Sequence, residues 1–363
     1  MSDKGRSDKG RLDTEKAGTE KAGTGKANQD KKYLKKFSAT TPRKRFFKLA
    51  GMTATIARNV TSASVLSVFR SEEKKVEQKE KLLLDIGLKV AETLGEMKGA
   101  VMKVGQIASQ VQDLLPEEVS KALQTLQKDA PPLPFEVIQA QLTDELGSGP
   151  FALFQTFDPE PFAAASIGQV HRATTFDGKD VVVKIQYPGV DESCDSDLKQ
   201  LRILLKLGGL VKVEKQILDA IFDEIRQSLY EELDYEHEAE NLRLLREFHR
   251  EDDKIVIPDI VEEFTSKKVI TLIYEGGDHI DDVAQAQYSQ DTINEIGDRL
   301  FHMEASQIYK LNAVHCDPHP GNFAFRPDGT IVVYDFGAVK HLNPSMISDF
   351  QKIIRAAMKR DYA

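Results

Sequence analysis

Residues 315–322 read HCDPHPGN and residues 331–337 read IVVYDFG, with the turn Pro327-Asp328-Gly329 between them. In the first stretch Asp317 stands five positions before Asn322, and the prolines and Gly321 hold the intervening chain in a tight loop. In the second, Ile331-Val332-Val333 is a strand signal that delivers Asp335, thirteen positions after Asn322. A stiff β-branched strand holds a carboxylate at its end in place. Asp335 and Asn322 are hard oxygen donors of the kind Mg²⁺ takes, which leaves Asp317 to accept a hydroxyl proton or orient a nucleophile. Each piece alone is ordinary: Asp-Phe-Gly after a strand is a common turn, and a histidine two residues before an aspartate is usually structural. The two spacings together, with a hairpin between, select phosphate chemistry.

Working upstream, VHRATT (170–175) and DVVVKIQ (180–186) flank FDGK, a β-hairpin signal. Lys184 lies within the second strand. A strand lysine alone most often reaches out to solvent, but this one follows the small-residue stretch AAASIGQVHRA (163–173). Ala163, Ala164, Ala165 and Ser166 permit close approach of backbone to phosphate. The alanines lack glycine's freedom at positive φ, so this loop is expected to be stiffer than a Gly-rich one. A strand lysine, an Asp-x-x-x-x-Asn loop and an Asp-Phe-Gly turn occur in that order in protein kinases. The expected cofactors are therefore ATP and Mg²⁺. No Ala-Pro-Glu element follows, and only 26 residues lie after Gly337, so the second lobe is expected to be short. A metal cluster from His315, Asp317 and His319 fits less well, because no third His or Cys follows at zinc-like spacing.

The rest of the chain divides by composition. Residues 1–30 repeat short Gly, Lys, Thr and Asp units with almost nothing to bury, and read as a disordered tail. Residues 31–60 hold nine Lys or Arg and no acid, interleaved with Tyr33, Phe37, Phe46 and Phe47. That arm suits an anionic membrane surface or an acidic partner, and equally an ordinary solvated segment. Helices are expected within 72–110, from Pro116, and over Phe135–Leu146 closing at Gly147. Strands are expected at 151–157, 166–172, 180–186, 255–257, 268–273, 322–325 and 331–334. Helices are expected at 191–210, along one long charged stretch at 215–250, at 290–311 and from Asn343 or Pro344. The apolar residues of that last helix, Met346, Phe350, Ile353 and Ile354, are expected to lack some of their neighbours.

The net charge of −9 argues against a nucleic-acid partner. Two cysteines, Cys194 and Cys316, make neither a disulfide framework nor a thiolate metal site, which points to a reducing compartment. No apolar run is long enough to cross a membrane, and the N-terminus has no secretory pattern. A cytoplasmic chain, peripheral at most to a membrane, is the expectation. Protein partners are not legible.

These motifs, in this order, resemble the AarF/UbiB/ADCK family of atypical kinases. AAASIGQVHRA looks like that family's Ala-rich loop, MKGAVMKVGQ (97–106) like its Lys-x-Gly-Gln motif, EELDYEHEAENL (231–242) like its Glu-rich helix, and HCDPHPGNF like its catalytic loop. The resemblance runs from about residue 45 onward. It implies an α+β, protein-kinase-like bilobal fold with an N-terminal helical extension and a shortened C-lobe. The implied divisions are a tail (1–30), a basic arm and helical extension (31–147), an N-lobe (148–275) and a partial C-lobe (276–363). It further implies that Lys184 pairs with a carboxylate of the 215–250 helix, most plausibly Glu238. Lys103 and Gln106 would reach toward the nucleotide, with Glu232 and Asp234 as partners of their segment. On a single helix Asp234 and Glu238 would share a face while Glu232 would lie well round it. The implied reaction is ATP-dependent phosphotransfer or ATP hydrolysis linked to isoprenoid-quinone or other membrane lipid metabolism, the alternative being a nucleotide-binding scaffold.

Overall fold

The computed structural model describes residues 132–207, 214–283, 288–317 and 319–360. The tail, the basic arm, the Lys-x-Gly-Gln motif with Lys103 and Gln106, and the helices expected before residue 132 lie outside the described residues.

The first described helix is α1 (Phe135–Leu146), and it ends where the sequence says it should. Gly147 takes the left-handed conformation (φ 75°) and returns its N–H to the Thr143 carbonyl. Next come a single helical turn, α2 (Pro150–Leu153), and a two-residue strand, β1 (Thr156–Phe157). Of the strand expected over 151–157, residues 151–153 are helical and only Thr156 and Phe157 are strand, because Pro150 starts a turn and Phe154 goes into the core instead. Strands β2 (Ala163–Ala164), β3 (Gly168–Thr174) and β4 (Asp180–Gln186) follow. The β3–β4 hairpin turns through Gly178 at φ 83°, with the Thr175 N–H donating to Lys179 O and the Gly178 N–H to Thr175 O.

Helices α3 (Val190–Leu207), α4 (Lys215–Glu232) and α5 (Tyr235–His249) come next. The single helix expected over 215–250 is broken at Leu233-Asp234. Asp234 adopts an extended backbone and its carboxylate accepts from the His237 N–H, the N-cap of α5. Asp234 and Glu238 therefore do not share a helix face, and Glu232 belongs to the preceding helix.

The remainder comprises β5 (Ile255–Val256), β6 (Val269–Ile273), α6 (Ile280–Val283) and α7 (Gln290–Ser306). A π turn (Gln307–Leu311) extends α7, so the stretch expected as one helix changes pitch before it ends. Then follow β7 (Ala313–His315), β8 (Phe323–Phe325), β9 (Ile331–Val333), β10 (Val339–His341) and α8 (Pro344–Lys359). Asn343 caps α8 by accepting from the Ser345 N–H. No helix of the described residues is long and apolar enough to cross a membrane.

The chain forms two compact units. The described part of the first holds residues 132–153, 159–169, 185–207 and 214–226. Val137, Ile138 and Leu142 of α1 and Leu198, Leu201, Leu218 and Phe222 of the later helices are buried there. Arg226 pairs with Asp195, and Arg202 with Asp219, across α3 and α4. The Ala-rich stretch is short strand, not open loop: β2 pairs with β3, and the Ala165 N–H donates to Gly168 O. Gly168 lies so close to its neighbour that a Cβ there would sit 2.3 Å from the Ile185 carbonyl oxygen.

The second unit holds residues 154–158, 170–184 and 227 onward. Its strands β1, β3, β4 and β6 are neighbours in that order. A separate three-stranded sheet runs β5-β9-β8, with β5 parallel and β8 antiparallel to β9, and β7 pairs antiparallel with β10. Ile331, Val332 and Val333 are all buried, so β9 is a central strand covered on both faces. On α8 only Ile347 is buried, while Met346, Phe350, Ile353 and Ile354 are exposed.

Candidate active site

Four residues singled out by the sequence meet within the second unit. Lys184 projects from β4, and its Nζ donates to Glu238 Oε1 and Oε2 at 2.8 and 2.9 Å and to Asp335 Oδ2 at 3.0 Å. Glu238 stands on the first turn of α5 and is 2% exposed, whereas Asp335 keeps 32% of its side chain accessible. Glu232, at the end of α4, comes to the same place. A Cβ on Gly337 would lie 3.6 Å from Glu232 Cγ, 3.9 Å from Glu238 Oε2 and 3.4 Å from Asp335 Oδ1. Three acidic residues thus gather around one glycine, and a single Lys184 ammonium serves both Glu238 and Asp335.

The electrostatics follow from that imbalance. Burial pushes the Glu238 carboxyl up to about 7, against the pull of Lys184 and with the help of Asp335. Around Asp335 burial opposes ionisation, but the Lys184 ammonium and the Gly337 N–H outweigh it and bring the carboxyl down to about 2. Burial also disfavours the charged Lys184, yet Asp335 and Glu238 overcome it and hold the ammonium well above the usual lysine range. One cation is shared by two anions, and Asp335 is the more firmly ionised of them.

The Asp335-Phe336-Gly337 turn is anchored at every residue. His315 Nε2 donates to the Asp335 carbonyl at 2.6 Å, Asn241 Nδ2 to the Phe336 carbonyl at 3.1 Å, and the Gly337 N–H to Asp335 Oδ1 at 3.0 Å. His315 is itself placed by the π turn: its backbone N–H donates to Gln307 Oε1, while Gln307 Nε2 lies 3.1 Å from His249 Nε2. Burial lowers the His249 pKa and so favours the neutral, accepting ring. His315 is therefore committed to a carbonyl, and His319 Nδ1 accepts from the Gly321 N–H. Among the described residues no group of three His, Cys, Asp or Glu side chains could hold a metal, so the His315–Asp317–His319 cluster is set aside.

Asn322 ends a short 3₁₀ turn (Pro320–Asn322) rather than beginning β8. Its Nδ2 donates to the Asp317 backbone carbonyl at 3.1 Å, which leaves the amide oxygen as the atom able to act as a ligand. The Asp335 carboxylate and the Asn322 amide oxygen are both hard oxygen donors by residue type, and the carboxylate is firmly anionic. Asp317, five positions before Asn322, is half-buried. Asp234 is occupied in part by capping, and Lys267 lies 3.8 Å from its carboxylate. Ala163 and Ala164 are exposed in β2, within the first unit.

Three contributors went unread in the sequence. Asn241 lies three residues after Glu238 on α5, a spacing that put it on the same face and could have exposed it. Tyr235 packs its buried ring 5.0 Å from Lys184 Nζ, and its hydroxyl has no hydrogen-bond partner among the described residues. Tyr334 fixes its neighbours through both amide and hydroxyl, and no sequence pattern marks it.

Comparison with known proteins bears on the family of the chain. Residues 125–363 match the model of the ABC1 atypical kinase-like domain. The probable serine/threonine-protein kinase abkA of Dictyostelium discoideum is 31% identical over 75% of this chain and 50% of its own length. The mitochondrial atypical kinase COQ8 of Saccharomyces cerevisiae is 31% identical over 92% of this chain and 66% of its own. The chain thus spans about half to two thirds of these relatives. The solved Rv3197–erythromycin complex from Mycobacterium tuberculosis is similar at 32% identity and a TM-score of 0.53, covering 79% of this chain and 73% of that one. The relatives' names and the matched domain agree with the motif reading, and the chain belongs to the ABC1 family of atypical kinases, the group that includes the COQ8 and AarF proteins.

Proposed function

We propose that the chain binds ATP with Mg²⁺ and either hydrolyses it or transfers its terminal phosphoryl group to an unorthodox acceptor. The observation that carries this reading is Lys184 held between Glu238 and Asp335. A cation on a rigid strand, oriented by a buried carboxylate, is suited to phosphate oxygens, and Asp335 is free to turn to a metal once phosphate takes its place. Asn322 and Asp335 would hold the Mg²⁺, which would supply charge neutralisation for the phosphate groups. Asp317 would accept the proton of the attacking water or hydroxyl. Ala163, Ala164, Ala165 and Ser166 would line the phosphate approach, and Lys103 and Gln106 would reach toward the nucleotide, with Glu232 and Asp234 as partners of their segment.

The proposed setting is a membrane surface, reached through residues 31–60, and the proposed context is isoprenoid-quinone or other membrane lipid metabolism. That context rests on family resemblance. The proposed layout keeps the helical extension before residue 148, the N-lobe to 275 and the partial C-lobe beyond it.

The test is Mg²⁺-dependent ATP turnover by the full chain, with and without anionic vesicles, for the parent and for Asp317→Asn. Turnover is expected to collapse in the variant while ATP binding survives; equal turnover in both sinks the catalytic reading. A parent that binds ATP without turning it over would instead support a nucleotide-gated scaffold. Vesicle binding that survives deletion of residues 31–60 would rule out the arm as the membrane contact.

A further inference from the structure

The segment between β6 and α6, residues 274–278, joins the strands that carry Lys184 to the strands that deliver Asp335. At its start the Tyr274 N–H donates to the Asp180 carbonyl, the first residue of β4, and the Arg172 guanidinium sits 3.9 Å over the Tyr274 ring. At its end Asp278 exchanges both backbone hydrogen bonds with Phe325 of β8, at 2.7 and 2.9 Å. In the middle two side chains from the other sheet seize it. Tyr334 donates its hydroxyl to the Glu275 carbonyl at 2.8 Å, and Arg326 donates to the Gly276 carbonyl at 2.8 Å and to the Glu275 carboxylate at 2.6 Å. Gly277 is pressed against β8 so closely that a Cβ there would lie 2.9 Å from that of Ala324.

Tyr334 is the node of this joint. Its own N–H donates to the Asn322 carbonyl at 2.9 Å, and the next residue is Asp335. One residue thus touches the connector and the loop that ends in Asn322, and is the chain neighbour of Asp335, which pairs with Lys184.

We propose that Tyr334 is a positioning residue, with Arg326 as its second fastening: together they fix the connector to β8 and β9 and so set the placement of Asn322 and Asp335 relative to Lys184. The inference rests on the reading of these three as the phosphate and metal site, and it assigns the device that keeps them in register. A connector held only at its ends could flex between two sheets; one held at its centre by a phenol and a guanidinium moves with the strand that bears Asp335.

The experiment uses the full chain as Tyr334→Phe, Arg326→Gln and Arg326→Lys. Backbone hydrogen exchange is measured first, without nucleotide. In Tyr334→Phe the Tyr274 and Asp278 amides and the Gly337 amide, bonded to Asp335, are expected to exchange faster together, by about fivefold. The α1 amides should not change. Arg326→Gln should show the same joint loss, and Arg326→Lys should recover part of it. Faster exchange confined to residues 274–278, or none, overturns the proposal. Mg-ATP kinetics follow: kcat is expected to drop about fivefold with KM for ATP little altered. Joint exchange loss with unchanged kcat shows that the hydroxyl serves stability alone and overturns the positioning role. Joint loss in a parent that never turns over ATP leaves the mechanical joint standing and removes the ATP reading, so the two failures are distinct. If Tyr334→Phe does not fold, the Arg326 pair decides the question by the same amides.

Discussion

Lys184 grips both oxygens of Glu238, at 2.8 and 2.9 Å, while it also contacts Asp335 at 3.0 Å. A single ammonium so placed cannot neutralise two carboxylates, and Glu238 is too deeply buried to be compensated by water. Lys184→Met should therefore cost about 3 kcal/mol in urea unfolding, the usual penalty for stranding a buried charge. Adding Glu238→Gln to that background should restore much of the loss, because the amide carries no charge to strand. A loss that the second substitution deepens would contradict this account.

The same cluster predicts how stability depends on pH. Glu238 has a folded pKa raised from 4.5 to about 7, so its contribution is fully present below 4.5 and is lost as pH rises through 7. Asp335 runs the other way: lowered from 3.8 to about 2, it contributes above 3.8 and fails as pH falls toward 2. Denaturation at a series of pH values should show the parent weakening between about 4.5 and 7, and Glu238→Gln should flatten that interval. An identical slope in both proteins would place the titration elsewhere.

Tyr235→Phe should stabilise the protein. The hydroxyl is buried without a partner among the described residues, and an unsatisfied polar group costs about 1–3 kcal/mol. The ring and its contact with Lys184 survive the change. A higher midpoint in thermal unfolding is expected; a clear drop would show that the hydroxyl is satisfied.

Two glycines should respond to alanine with opposite signs. Gly168→Ala drives a methyl into the Ile185 carbonyl, which backbone cannot easily relieve, and should cost about 3 kcal/mol. Gly297 lies within α7 and faces open space, so Gly297→Ala should gain up to about 1 kcal/mol from helix propensity. Thermal melts of the two variants against the parent provide the check.

Much of this molecule is legible in its sequence, and the exceptions have physical causes. The β3–β4 hairpin, the Gly147 stop and the Asn343 cap each rest on a local rule, and each stands where its residues place it. The break between α4 and α5 is hidden because Glu231, Glu232 and Glu236 continue a charged helical pattern through it. Only the Asp234 side chain, turned back to the His237 N–H, marks the new start. Strands β7 and β10 are three residues each and, unlike β8 and β9 of the same length, are not joined by a Pro-Asp-Gly turn that marks a hairpin. The Lys184–Glu238 meeting spans 54 positions and was reached through family resemblance, since nothing local to either residue selects the other. Tyr334 acts on a backbone carbonyl of a distant segment, which carries no sequence signature, whereas Asn241 was marked only by its spacing from Glu238.

The π turn at 307–311 has a meaning for anyone who edits this chain. It is a matter of counting. A π turn accommodates one more residue than an α turn, and here that extra step comes between α7 and the strand that presents His315. Gln307 faces inward at the start of it, serving His249 on one side and the His315 amide on the other. Deleting one residue from 308–311 would leave the composition nearly intact and yet pull the His315 strand out of step with Gln307. Substitutions there should be forgiven more readily than length changes, so a mutational scan of this turn would read as an intolerance to insertions and deletions rather than to chemistry.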